Sequence, residues 1–198
     1  PDVDVPAGDI GVAGREIGYL FGQYKRIKGC WENGVLTGKG LSYGGSYFRP
    51  EATGYGAVYY LVEVLKHFGD DIKGKTVAVS GFGNVAWGVC EKVAQLGGKD
   101  YADKFGVKFV PGAKVWGEKV DIAMPCAYQN EIGMKEAQQL VDNGVQYYIE
   151  VANMPTTNEA LEYLQKNVKL VAPSKAVNAG GVATSALEMA QNSMRYSW

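Results

Sequence analysis

The sequence predicts an α/β protein built on a parallel, doubly wound sheet. Three observations carry that expectation. From Thr76 onward, short apolar runs of strand type alternate with stretches of helical period, the order a parallel sheet requires. A Gly-x-Gly-x-x-Ala turn stands between the first of those runs and the helix after it. The composition, 46% hydrophobic and 21% charged over 198 residues, suffices for a real core.

The elements follow in order. Residues 11–24 read as helix, with Ile17, Leu20, Phe21 and Tyr24 at spacings of three and four. The next stretch holds Gly29, Gly34, Gly38, Gly40, Gly44 and Gly45, and is expected as loop or short irregular strand. Residues 53–68 are helical again, with Val58, Leu61, Val62 and Leu65 on one face and Gly69 at the end. A β-branched run at 76–79 gives the first strand, and 85–96 a helix stopped by Gly97-Gly98. Further strands are expected at 107–110, 120–124, 145–149 and 168–171, with helices at 134–141, 157–165 and 183–194. One junction breaks the alternation. After Lys99 the chain passes straight into a helix-like run at 100–105, where a strand beside 76–80 is required, so a segment is expected to be missing between 99 and 100.

Charge and composition exclude several classes. The net charge is -1 and no Lys/Arg-rich run occurs, so neither nucleic acid nor an anionic membrane is an expected partner. The sequence has no apolar stretch long enough to span a bilayer and no signal-peptide pattern, and a cytoplasmic protein is expected. Cys30, Cys90 and Cys126 fit neither a disulfide framework nor a zinc spacing, and are expected as buried thiols in a reducing compartment. No metal site is expected. His67 has no partner motif and is expected at the surface.

The clearest chemical signal is Gly81-Phe82-Gly83-Asn84-Val85-Ala86, directly after a strand and opening a helix. This is the setting in which such a turn binds a dinucleotide. Gly81 permits the tight turn, and Gly83 lets backbone N–H groups approach a pyrophosphate. Ala86 allows the helix to pack on the strand, with the phosphates at its positive end. Asp100 and Asp103 lie near the distance where an acidic ribose ligand is normally found, but neither follows a strand, and both are expected as solvated helix residues. Later strands end in polar clusters: Pro125 through Asn130 with Ala127, Ala152-Asn153-Met154-Pro155, and Ala172-Pro173-Ser174. Each asparagine alone suits a cap or turn. Their recurrence at carboxyl ends of strands favours a site. Asn178 through Ser185 places a glycine pair at a helix start, either an anion-binding floor or a flexible connection. Asp9 lies in a loop before the first helix, where a lone aspartate is ordinarily an N-cap.

These blocks, taken together, resemble the hexameric type of glutamate dehydrogenase. The similarity rests on Asp4 to Asp9 with Arg15-Glu16, Thr37-Gly38-Lys39, Arg49-Pro50-Glu51-Ala52-Thr53-Gly54-Tyr55-Gly56, and Gly81 to Ala86. It continues through Ala152 to Thr157 and Asn178 to Ser185. It covers nearly the whole chain in family order; leucine and phenylalanine dehydrogenases resemble the blocks less. The resemblance implies a Rossmann-like dinucleotide-binding domain at 48–198 and, at 1–47, the end of a substrate domain. It implies reversible oxidative deamination of L-glutamate to 2-oxoglutarate and ammonia, with NAD or NADP as cofactor, in a homohexamer. Asp9 is then the catalytic carboxylate, acting with a lysine. Ala7, Val182 and Ser185 contact substrate, Ser185 at its side-chain carboxylate. Thr53 and Asn84 orient the nicotinamide carboxamide; Gly81, Phe82, Gly83 and Val85 form the phosphate turn. Ala127, Asn153 and Asn178 line the cofactor cleft. The bulk of Phe82 leaves little room for a 2′-phosphate and favours NAD.

The sequence departs from the pattern in three places. It lacks the glycine- and lysine-rich segment that normally precedes Asp9, the strand region at 99–100, and the helices that normally follow Trp198. The expectation is therefore that these residues are parts of a longer enzyme. The alternative is a truncated, inactive fragment that binds dinucleotide or assembles with other subunits. A dehydrogenase for a hydrocarbon amino acid would gain nothing from the Ser185 hydroxyl.

Overall fold

The computed structural model describes residues 1–47, 50–98 and 114–196. The chain forms two compact units, Glu51–Gly180 and Pro1–Pro50 with Gly181–Trp198. The expected strand at 107–110, the run 100–105 with Asp100 and Asp103, the junction after Lys99, and Arg49 lie outside the described residues.

In the unit Glu51–Gly180 the sheet is parallel throughout, with β1 Val77–Val79, β2 Ile122–Met124, β3 Tyr147–Ile149 and β4 Leu170–Ala172 in that order across it. Register pairs Val77 with Ile122, Ile122 with Tyr147 and Tyr147 with Leu170. Alternate residues along each strand enter opposite cores, as the two-residue period of a strand dictates. Val77, Ile122, Met124, Tyr147 and Ile149 pack beneath α2 (Ala52–His67) and α3 (Asn84–Gln95), through Val58, Leu61, Leu65, Val89 and Val93. Ala78, Ala123 and Tyr148 face α4 (Met134–Asp142) and α5 (Asn158–Asn167), through Ala137, Leu140, Ala160 and Leu164. Both faces are covered, which is why these strands read as continuous apolar runs rather than alternating ones. Each fully buried Leu or Val contributes about 1.5–3 kcal/mol.

The amino end of the sheet is tied by polar contacts. Tyr147 donates its hydroxyl to Asp70 (3.0 Å), Lys75 pairs with the same carboxylate (2.9 Å), and Lys169 donates to Tyr147 Oη (2.8 Å). The hydrogen bond from Lys75 holds the Asp70 carboxyl below its ordinary range and raises the lysine in return. Among the described residues of this unit, two elements were not expected from the sequence: the one-turn helix α6 (Ser174–Val177) and a 3₁₀ turn at Val115–Gly117. The first lies in a segment where only a polar cluster is visible.

In the other unit, α1 (Gly14–Lys28) buries only Ile17 and Phe21, which pack with Val35 and Leu36. Leu20, expected on the same apolar stripe, is exposed. The N-cap is Ala13, whose N–H donates to Glu16 (3.0 Å), so Asp9 does not cap this helix. Gly29, at φ 68°, ends it in the left-handed conformation for which glycine is suited. Phe21 stacks against Trp31 and Tyr43 at 5.3 and 4.9 Å. The last helix, α7 (Ala179–Met194), begins earlier than the periodicity suggests, so Gly180 and Gly181 form its first turn and not a flexible connection. Its inward side chains are Ser185 and Glu188.

The cysteines correct one expectation. Cys126 is buried, Cys90 half-buried and Cys30 exposed, because Cys30 falls in the loop just after α1 rather than on a packed face. Burial pushes the Cys126 thiol well up, with a smaller contribution from Cys90, leaving it protonated and unreactive. His67 is exposed at the end of α2, as expected. Among the described residues no helix is long and apolar enough to cross a membrane, and no group of His, Cys, Asp or Glu gathers as a metal site.

Candidate functional site

The carboxyl ends of the strands and the amino ends of two helices meet in the unit Glu51–Gly180, and glycines make the meeting possible. At Gly54 of α2, a Cβ would stand 2.5 Å from Val85 O and 2.6 Å from Val89 N of α3. At Gly88 of α3 it would stand 3.0 Å from Glu51 O and 3.3 Å from Gly54 Cα. The two helices therefore cross in backbone-to-backbone contact, which brings Thr53 and Asn84, each in a first turn, to the same end of the sheet. A second crossing follows the same rule: a Cβ on Gly56 would lie 2.8 Å from Gly180 Cα, and one on Gly180 would collide with Ala52 O. The start of α7, with Asn178 just before it, is thereby held against the start of α2.

The turn between β1 and α3 has two glycines of different kinds. Gly81 adopts φ 91°, and a Cβ there would meet Ala127 Cα at 3.2 Å and Cys126 O at 3.3 Å. Its glycine is explained by the fold, and the contact joins Gly81 to Ala127, two of the sequence-predicted residues. Gly83 has φ -84°, open to any residue, and a Cβ there would meet nothing within 4 Å. The fold makes no demand for glycine at this position. The bare backbone faces open space at the N-terminus of α3, whose first N–H groups no side chain caps. Those groups have no partner within the helix, and with the helix dipole they suit an anion. The N-terminus of α2 lacks a side-chain cap as well. A dinucleotide pyrophosphate fits this cradle, with Gly83 leaving the room it needs. Phe82 projects into solvent, 90% exposed, and Val85 is half-buried behind it.

The strand-end loops are stitched together. Asn178 donates through Nδ2 to Asn153 Oδ1 (2.8 Å) and to Val151 O (3.1 Å). Asn130 N–H donates to Met154 O and Ile132 N–H to Pro155 O, at 3.0 and 2.9 Å, so the loops after β2 and β3 run side by side. Two buried carboxylates that sequence inspection passed over anchor these loops. Glu131 accepts from Ser80 Oγ (2.8 Å), and Ser80 accepts from Cys126 N–H (3.0 Å), tying the end of β1 to the loop after β2. Glu150 accepts from Thr156 (2.6 Å) and from Ser174 N–H (3.4 Å), while Tyr148 and Thr156 share a hydrogen bond of 2.7 Å. Burial pushes the Tyr148 hydroxyl upward, so it stays protonated. Glu131 directly follows the Gln-Asn pair, but a glutamate after a polar cluster carries no mark of burial in sequence.

The remaining predicted residues lie in the other unit. Asp9 is exposed at the start of a turn closed by Val12 N–H donating to Asp9 O (2.8 Å), and among the described residues no hydrogen bond or ion pair holds its carboxylate. Gly8 must be glycine there, since a Cβ would run into Val12 O. Ala7 is exposed. Val182 is exposed on α7, and Ser185 is buried on the inward face of the same helix. The structure brings Thr53, Gly81, Gly83, Asn84, Ala127, Asn153 and Asn178 to one end of one sheet.

Comparisons with known proteins agree with this architecture. The NAD-specific glutamate dehydrogenase of Clostridium symbiosum is 54% identical over 237 aligned positions, covering all of this chain and 53% of that protein. The NAD(P)-specific glutamate dehydrogenase of Xylanibacter ruminicola is 50% identical over 235, again across the whole chain and 53% of its length. A solved structure titled glutamate dehydrogenase superposes with a TM-score of 0.93 at 55% identity, covering the whole chain and 53% of its own. The chain thus spans about half the length of the relatives it matches. The family model for Glutamate/Leucine/Phenylalanine/Valine dehydrogenase matches residues 44–102 and 99–198. With its parallel sheet, glycine-built helix crossings and open glycine turn, this chain belongs to the Glutamate/Leucine/Phenylalanine/Valine dehydrogenase family.

Proposed function

We propose that the protein carrying this chain oxidatively deaminates L-glutamate to 2-oxoglutarate and ammonia, delivering a hydride to NAD or NADP. The observation that carries the reading is Gly83, a glycine the fold does not require, opening onto uncapped helix N–H groups beside Thr53 and Asn84. The dinucleotide, when bound, accepts the hydride from the substrate Cα. The chain's own residues do the rest. N–H groups at the start of α3 hold the pyrophosphate, and Thr53 and Asn84 orient the carboxamide. Gly81, Phe82, Val85, Ala127, Asn153 and Asn178 shape the cleft around the cofactor. Ala7, Val182 and Ser185 receive the substrate, Ser185 donating to its side-chain carboxylate. Asp9, unpartnered and solvated, carries protons to and from the reacting nitrogen and the water that hydrolyses the imine. The identity with an NAD-specific relative favours NAD.

The protein would act as a cytoplasmic homohexamer, and size-exclusion chromatography with light scattering tests the assembly. Substrate-dependent reduction of NAD and NADP tests the chemistry. Active protein should use glutamate, and Asp9→Asn should lower kcat about 100-fold or more while the dinucleotide Kd stays unchanged. Absence of glutamate-dependent reduction with either cofactor would sink the proposal. One observation favours the second reading, a dinucleotide-binding fragment: the family match breaks at residues 99–102, and the alignments run longer than the chain, as for a segment absent after Lys99. Intact mass separates the two. A polypeptide at 21.4 kDa supports the fragment, and a heavier one supports the enzyme.

A further inference from the structure

The unit that carries Asp9 and Ser185 holds a fully buried ion pair for which the chemistry above has no use. Lys39 Nζ lies 2.6 Å from Glu188 Oε1, and both side chains are 0% exposed. The second oxygen of Glu188 accepts from Gly38 N–H (3.1 Å), and Lys39 donates to Leu36 O. The backbone around the pair is bent to fit it, with Leu36 at φ 64° and Gly38 at φ 78°. Between them, Thr37 N–H donates to Pro6 O (3.0 Å), immediately before Ala7-Gly8-Asp9. On the other side, Glu188 stands one turn after Ser185 on the inward face of α7. The pair is thus the joint between the two segments that carry the catalytic carboxylate and the substrate contacts. A buried pair is a poor device for stability alone, because apolar side chains of similar volume commonly serve as well or better. What it supplies that they cannot is direction: a carboxylate with one oxygen on an ammonium and the other on a backbone N–H fixes the rotation of α7 and the path of 36–39 together.

We propose that Lys39 and Glu188 are positioning residues for the substrate half of the site, holding Ser185 on α7 and the Ala7–Asp9 turn in mutual register; this rests on the functional reading above. The test is made on the intact protein with three variants: Glu188→Gln, Lys39→Met, and the double replacement K39M/E188L, which removes both charges and refills the volume. In Glu188→Gln, kcat/KM for glutamate should fall at least tenfold through a raised KM, with the dinucleotide Kd unchanged. The double variant should regain the thermal stability lost in the single ones and still show the raised glutamate KM. Should the double variant recover both stability and the wild-type KM, or should a folded Glu188→Gln keep its glutamate KM within twofold, the positioning role is overturned. A wild type that never oxidises glutamate overturns the underlying reading instead. Single variants that fail to fold leave the decision to the double variant alone.

Discussion

The two units of this chain hold themselves together by different means. Glu51–Gly180 has two apolar layers, one on each face of its sheet, and its polar groups tie loops at the sheet ends. Among its described residues the other unit buries the apolar side chains of Ile17, Phe21, Val35 and Leu36, and an ion pair. It also exposes large side chains such as Tyr19, Ile27 and Trp31. Packing is forgiving where total volume is kept, whereas a buried charge tolerates little loss. The comparison teaches that the unit Glu51–Gly180 is specified by shape, by helices close enough to touch, and the other unit by a few directed polar contacts.

That contrast can be broken at its strongest point. Replacing Gly54 with Val should force α2 and α3 apart, since even one carbon would sit 2.5 Å from a backbone oxygen of α3. A loss of about 3 kcal/mol or more is expected, as for severe overpacking, read by chemical denaturation, together with loss of dinucleotide binding. A cost below about 1 kcal/mol would mean the crossing is not what holds these helices in place. Gly83→Ala sharpens the same point from the other side. Its backbone is ordinary and the space is empty, so stability should change by less than about 1 kcal/mol, while dinucleotide affinity falls tenfold or more. Unchanged affinity by calorimetry would show that nothing needs to approach that backbone.

The smallest effect is electrostatic and lies at the far end of the sheet. Lys75 depresses the Asp70 carboxyl, so the native state binds its proton less readily than the unfolded chain. The stability from this pair is present above the ordinary aspartate range, about pH 4, and is lost as pH falls through the lower folded value. Asp70→Asn should cost about 1 kcal/mol near neutrality and flatten the decline of stability below about pH 4. A wild-type and variant pair with parallel acid melting curves would rule the linkage out.

Much of the fold was legible because both of its periods are strong. The strands at 77–79, 122–124 and 147–149 fall inside the apolar runs, the strand at 170–172 passes its run by one residue, and α2 and α3 match their predicted spans within a residue. The tight turn at Gly81–Gly83 was legible because a strand, two glycines and a helix occur in fixed order. Other features had no local trace. Gly54 and Gly56 look like flexibility in a helix, and only the structure shows that each makes room for another backbone. Glu131 and Glu150 resemble ordinary surface glutamates until their buried partners are seen. Leu20 misled because a helix with few neighbours leaves part of its apolar stripe uncovered.

The Lys39–Glu188 pair joins residues 149 positions apart, with the whole of the unit Glu51–Gly180 encoded between them. During synthesis the lysine emerges first and must wait for its carboxylate. At about 5–20 residues per second that wait is on the order of ten seconds, long compared with the formation of helices and the collapse of small chains. The parallel sheet can therefore be complete before the segment around Lys39 has its carboxylate to close upon. The buried pair can close only once Glu188 has emerged, so the segment around Lys39 stays open until the unit Glu51–Gly180 has been made.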